Sequence, residues 1–110
     1  MSDHIHQPTV LHQDKYGYLV YCPNCSGFQI SYGTFALSQN QHDLECFADL
    51  INRYYHRYAQ RTERMRRDIF LDTPYVGFGI ILSAADLERL NSILQKGLLI
   101  LAAQDPVSQQ

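Results

Sequence analysis

Cys22, Pro23, Asn24 and Cys25 place two thiols two residues apart, with Gly27 just beyond them. A tight turn with that spacing presents both sulfurs to one ion, and zinc takes thiolates at tetrahedral angles. Two thiolates are half of a structural site. The other half has candidates in His4 and His6, then His12, and less suitably Cys46. Side chains two apart on an extended segment share a side, so His4 and His6 could reach the same ion. Cys22, Cys25, His4 and His6 together would close the coordination shell, which makes such a site structural and not catalytic. The plainer reading makes the cysteines small residues of a hairpin turn and leaves the histidines in solvent. A third reading, thiol redox chemistry, needs the first cysteine at a helix N-terminus that lowers its pKa. Here the residues after Cys25 read as strand, so that activating context is missing.

Arg53, Arg57, Arg61, Arg64, Arg66 and Arg67 are six of the seven arginines, interleaved with Tyr54, Tyr55, His56 and Tyr58. Guanidinium groups among aromatic rings suit phosphate binding and base stacking. An anion or nucleic-acid site would use Arg57, Arg61, Arg64, Arg66, Arg67 and Tyr58. The simpler account is the solvated edge of an amphipathic helix, because Arg53, Arg57, Arg61 and Arg64 recur at helical spacing and cations suit a helix C-terminus.

Catalytic patterns are scarce. The sequence holds no Gly-rich phosphate loop, no Gly-x-Ser-x-Gly and no His-Glu-x-x-His. The acids Asp43, Glu45, Asp86 and Glu88 fall where helix starts favour negative charge. A formal charge of −2 over 110 residues gives no overall bias towards nucleic acid or membrane. No stretch nears the roughly 18 apolar residues of a membrane span. Three cysteines, an odd count, fit reduced thiols in a cytoplasmic protein better than a disulfide framework.

The elements that would position these residues follow from periodicity. Residues 1–14 read as an irregular arm, with a short strand at Thr9–Leu11. A strand over Tyr18–Tyr21 enters the cysteine turn. Phe28, Ile30 and Tyr32 alternate with polar residues, giving a strand that runs on to Ala36 or Leu37. Ser38 or Asn40 caps a helix over Gln41–Gln60, with Leu44, Phe47, Leu50, Ile51, Tyr54, Tyr55 and Tyr58 as its apolar stripe. Asp68–Leu71 and Tyr75–Leu82 read as strands around a turn at Asp72-Thr73-Pro74, and Gly77 and Gly79 mark a bulge or close approach. Ser83-Ala84-Ala85-Asp86 is a capping box. It opens a helix with Leu87, Leu90, Ile93, Leu94, Leu98 and Leu101 on one face, and Gly97 within it marks close packing.

Taken together these elements repeat strand-strand-helix. Tyr32-Gly33 to Glu45 even resembles Phe78-Gly79 to Glu88, as an internal duplication would. The expected fold is a two-layer α+β domain in ββαββα order, with one four-stranded, mainly antiparallel sheet and both helices on one face. Residues 15–104 would form that single domain and 105–110 a disordered tail. The order of Cys-x-x-Cys, a strand ending in Tyr-Gly-x-x-x-Leu-Ser, a helix, two strands and a Leu-Ser-led helix resembles a family of small uncharacterised bacterial proteins over residues 16–102. That resemblance implies the fold order and no activity.

The function these readings favour is a non-enzymatic interaction or adaptor domain, with a structural zinc as its one expected cofactor. Homodimerisation is expected from the eight tyrosines and from Gly97–Ala103, where Leu99 and Ile100 fall off the core face. Nucleic-acid or anion binding through residues 53–67 is the alternative.

Overall fold

The computed structural model describes residues 8–24, 27–73 and 76–104. Its elements run β1 (Thr9–Gln13), β2 (Gly17–Cys22), β3 (Gly27–Tyr32), β4 (Phe35–Gln39), α1 (Gln41–Arg57), β5 (Ile69–Asp72), β6 (Gly79–Leu82) and α2 (Ala84–Gln104). The first four strands form an antiparallel meander in the order β1-β2-β3-β4, and β5 and β6 pair as a separate hairpin. The fold is α+β with a four-stranded antiparallel sheet, as expected. The ββαββα order is corrected: all four strands of the main sheet precede α1, and among the described residues β5–β6 pair with neither edge of it.

The expected single strand through residues 28–37 is in fact β3 and β4. Gly33 takes φ +58, a backbone conformation that side-chain-bearing residues rarely adopt, so the chain can reverse between the facing residues Tyr32 and Phe35. The phase of the alternation slips there. Phe28, Ile30 and Tyr32 face the core, and after the turn Phe35 and Leu37 do, each opposite an inward partner. Residues 9–13, the end of the stretch read as an arm, are the sheet's edge strand. Its register against β2 shifts between Val10 and His12, turning Leu11 into the core.

One face of the sheet is therefore apolar and the two helices cover it. Helix α2 packs over β1 and β2, α1 over β3 and β4, and the helices pack on each other. Asn40 caps α1, its side chain accepting from the Asp43 amide at 2.8 Å, while Ser38 remains in β4. Helix α1 buries Leu44, Phe47, Ala48 and Ile51 and ends at Arg57, three residues short of the expected limit. The tyrosines of its last turns pack only partly against the core. In α2, Leu87, Leu90, Ile93 and Leu94 are fully buried, each worth about 1.5–3 kcal/mol of transfer free energy. Gly97 does mark close packing: a Cβ there would stand 2.5 Å from Leu19 Cδ2.

Hairpin β5–β6 alternates cleanly. Ile69, Leu71, Ile80 and Leu82 turn inward and join the same core. The residues of the expected tail and Asp105-Pro106 lie outside the described ones.

Candidate functional site

At one end of the sheet, Cys22 closes β2 opposite Gly27, and Pro23 and Asn24 open the turn between β2 and β3. The cysteine pair thus belongs to a hairpin end. Cys25, His4 and His6 lie outside the described residues. His12, the next candidate ligand, is on β1 with its Nε2 3.4 Å from Asp14 Oδ2, and Cys46 is exposed on α1. Among the described residues no group of three or more His, Cys, Asp or Glu side chains is placed to hold a metal ion.

The arginine row is dispersed over four settings, the last of them that of Arg67. Arg53 and Arg57 stay on α1, Arg53 paired with Asp49 and the Arg57 guanidinium 4.9 Å from the Tyr54 ring centre. Arg61 and Arg66 converge on Asp68, Arg61 with both carboxylate oxygens in reach. Arg64 donates to Glu88 at 2.7 Å and to the Ala59 carbonyl, pinning the connector between α1 and β5 to α2. Tyr58 packs against the core and lies 6.3 Å from the Tyr54 ring. Five of these six arginines carry a carboxylate partner.

Arg67 reaches the most unusual group in the chain. Asp86 is 1 % exposed, a charge inside the core, and both of its carboxylate oxygens accept hydrogen bonds. Tyr32 donates to Oδ1 at 2.5 Å, Arg67 Nε to Oδ2 at 2.8 Å, Arg67 Nη2 to Oδ1 at 3.3 Å, and the Ser83 amide to Oδ2 at 2.9 Å. The Asp86 amide returns a bond to Ser83 Oγ at 2.9 Å. The capping box read from the sequence is therefore real, and its carboxylate does a second job across the sheet-helix boundary. Burial pushes the Asp86 carboxyl up, but Arg67, the Tyr32 hydroxyl and Ser83 outweigh it and hold it well below the usual carboxylate range. Tyr32 moves the other way: burial and the Asp86 carboxylate raise it to about 12, against a smaller opposing pull from Arg89. Arg89 in turn stacks on the Tyr16 ring, 4.4 Å from its centre.

Shallow clefts flank this cluster, one of about 480 Å³ beside Arg64, Glu88 and Arg89, and one of about 170 Å³ beside Gly33, Arg67 and Asp86. A carboxyl that stays charged and a phenol that stays neutral over the physiological range exchange no proton there. The cluster is a clamp between the β3–β4 turn, the β5 approach and the start of α2.

The outward face of β5–β6 is the other notable surface. Phe70 and Ile81 are directly opposed across the hairpin and are 58 % and 54 % exposed. Gly79 makes room for the Phe70 ring, since a Cβ there would meet Phe70 Cζ at 2.3 Å. Phe78 and Val76, on either side of Gly77 with its φ of +79, are exposed as well. The sequence reading missed this face because it counted both strands into the one four-stranded sheet. Their alternation, Ile69-Phe70-Leu71 and Ile80-Ile81-Leu82, has no polar phase, and that was the available signal.

The meander, the second hairpin and the two helices can now be set beside known proteins. The family model of DUF6686, a family of unknown function, matches residues 4–99. The chain belongs to that family. Membership in DUF6686 carries the uncharacterised-domain reading made from residues 16–102 and brings no activity with it. No curated protein and no solved structure matches the chain. Among the described residues of this DUF6686 domain, no helix is long and apolar enough to cross a membrane.

Proposed function

We propose that this DUF6686 domain is a non-enzymatic interaction module that associates with a second copy of itself through the outward face of β5–β6. The observation that carries the reading is the exposed cross-strand pair Phe70–Ile81 with Phe78 beside it. Contiguous apolar groups of this kind on a folded surface mark association sites. Among the described residues the hairpin pairs with no other strand, and strand edges of that kind are templates for pairing with a neighbour. A two-fold pairing of hairpins would match apolar face to apolar face with one patch used twice, as closed homodimers do. The Tyr32–Asp86–Arg67 clamp supports a structural and non-catalytic role for the charged cluster, because its titrating groups are held away from neutrality.

The test is sedimentation from about 1 to about 100 µM, a range that spans dimers held by roughly 5.5–8 kcal/mol. The expected result is a rise in mass for the wild type that Ile81→Asp abolishes and Leu99→Asp leaves intact. A constant monomer mass throughout, or a dimer lost through Leu99→Asp alone, overturns the hairpin interface. The second variant matters because Leu99, on α2, is 71 % exposed and is the other apolar candidate.

Anion or nucleic-acid binding through Arg57, Arg61, Arg64, Arg66, Arg67 and Tyr58 has less support. Four of those five arginines already face carboxylates, so an incoming phosphate would have to displace them.

A further inference from the structure

The cleft of about 480 Å³ is walled by three elements: Glu88, Arg89 and Ser92 from one face of α2, Asp14 and Tyr16 from the β1–β2 turn, and Arg64 from the connector between α1 and β5. We propose that it binds a small zwitterion of the free amino-acid class, with the carboxylate on Arg89 and the ammonium on Glu88. Arg89 is the main argument. It is the one arginine outside residues 53–67. Among the described residues no carboxylate stands within ion-pair distance of it. Its guanidinium lies 4.4 Å from the Tyr16 ring centre and also faces the Tyr32 hydroxyl. Stacking occupies the flat face of a guanidinium and leaves N–H donors in its plane, where a carboxylate can take two parallel bonds.

The walls are set before a ligand arrives. The Ala85 amide donates to the Arg64 carbonyl at 2.8 Å and Arg64 Nη2 to Glu88 Oε1 at 2.7 Å, so the connector is tied to α2. Asp14 Oδ1 accepts from the Tyr16 and Gly17 amides, which fixes the turn carrying the ring that Arg89 stacks on. Charge then selects the ligand. Asp14 and Glu88 balance Arg64 and Arg89 around the cleft, so a polyanion would meet two carboxylates, whereas a ligand of both signs finds a partner for each. Asp14 is already engaged by its two amides and His12, but Glu88 Oε2 has no partner among the described residues. It is the oxygen open to an ammonium. The volume falls within the roughly 300–1,000 Å³ of small-molecule sites.

The test is saturation-transfer difference NMR of the full chain with an equimolar pool of the standard L-amino acids, followed by titration of the strongest binder. Binding should saturate in the wild type. It should weaken at least about tenfold in Glu88→Gln and in Arg89→Lys, which keeps the charge but loses the planar fork. The amide of the same amino acid keeps the ammonium and lacks the carboxylate, so the wild type should bind it at least about tenfold more weakly. That comparison alters the ligand alone and does not depend on how a variant folds. No saturable binding from the pool, equal affinity for the acid and its amide, or unchanged affinity in Arg89→Lys overturns the proposal. Inorganic phosphate binding more tightly than any amino acid overturns it as well, because the site would then be a plain anion site.

Discussion

Replacing Tyr32 by Phe removes one oxygen and leaves the ring packed, which isolates the Tyr32–Asp86 bond. Asp86 Oδ1 then keeps only the longer Arg67 contact at 3.3 Å. Hydrogen bonds to a charged group contribute about 1.5–3 kcal/mol net, so the variant should lose about 2 kcal/mol at neutral pH. For a domain of this size that lowers Tm by about 8 °C. Asp86→Asn should cost more, because it also removes the charge facing Arg67. The double variant should show a coupling of about 1–2 kcal/mol, as groups in one network do. The pH profile separates this account from a loss of packing. Tyr32 keeps its proton in the folded chain up to about 12, against an ordinary value of 10.0. Its contribution is fully present below pH 10 and is lost as pH rises from 10 towards 12. Asp86 behaves oppositely: its depressed carboxyl stabilises above the unfolded value of about 3.9 and loses that contribution as pH falls through the folded value. Urea unfolding followed by far-UV circular dichroism at pH 3, 7 and 11 measures all of this. Parallel wild-type and Tyr32→Phe stabilities between pH 7 and 11, or strict additivity in the cycle, would refute the clamp.

Two further substitutions test the frame around it. Gly97→Ala gains about 1 kcal/mol of helix propensity but drives a Cβ to 2.5 Å from Leu19 Cδ2 and 3.3 Å from its Cβ, in a side chain that is fully buried. Overpacking of that kind costs about 1–3 kcal/mol, so urea titration should find a net loss near 1 kcal/mol, and a gain would show that α2 can shift. Asn40→Ala should cost about 1 kcal/mol by leaving the Asp43 amide without its acceptor, whereas Ser38→Ala, within β4, should be nearly neutral.

How much of this was legible depends on the range of the interactions involved. Both helices could be read from the chain because their signals are local. Asn40 and Ser83 cap them, and Leu44, Phe47 and Ile51 or Leu87, Leu90 and Leu94 recur at helical spacing. The close contact at Gly97 followed from one residue whose cost needs a reason. The β2–β3 and β5–β6 hairpins were legible from the turns between them, but pairing beyond those turns was not, because alternation says which face a residue takes and not which strand lies beside it. The slip of phase between Tyr32 and Phe35 was present in the sequence, yet a turn of two residues hides easily inside an apolar stretch. Once β3 and β4 are separate, the meander is complete without β5 and β6, and they fall to a hairpin of their own.

Charge was harder to read because sequence distance misreports it. In the chain the arginines of residues 53–67 look like a basic block opposed by Glu63 alone. In space their partners arrive from both sides: Asp49 four residues before Arg53, Asp68 seven after Arg61, Asp86 nineteen after Arg67 and Glu88 twenty-four after Arg64. The Arg67 pairing changes the meaning of the α2 start. A capping carboxylate alone would sit in water and be worth about 1 kcal/mol. Asp86 is buried instead, and a buried carboxylate is costly unless its oxygens are satisfied. Tyr32 and Arg67 supply what Ser83 cannot, so the cap, the β3–β4 turn and the β5 approach must form together. The basic block is consequently short of free charge.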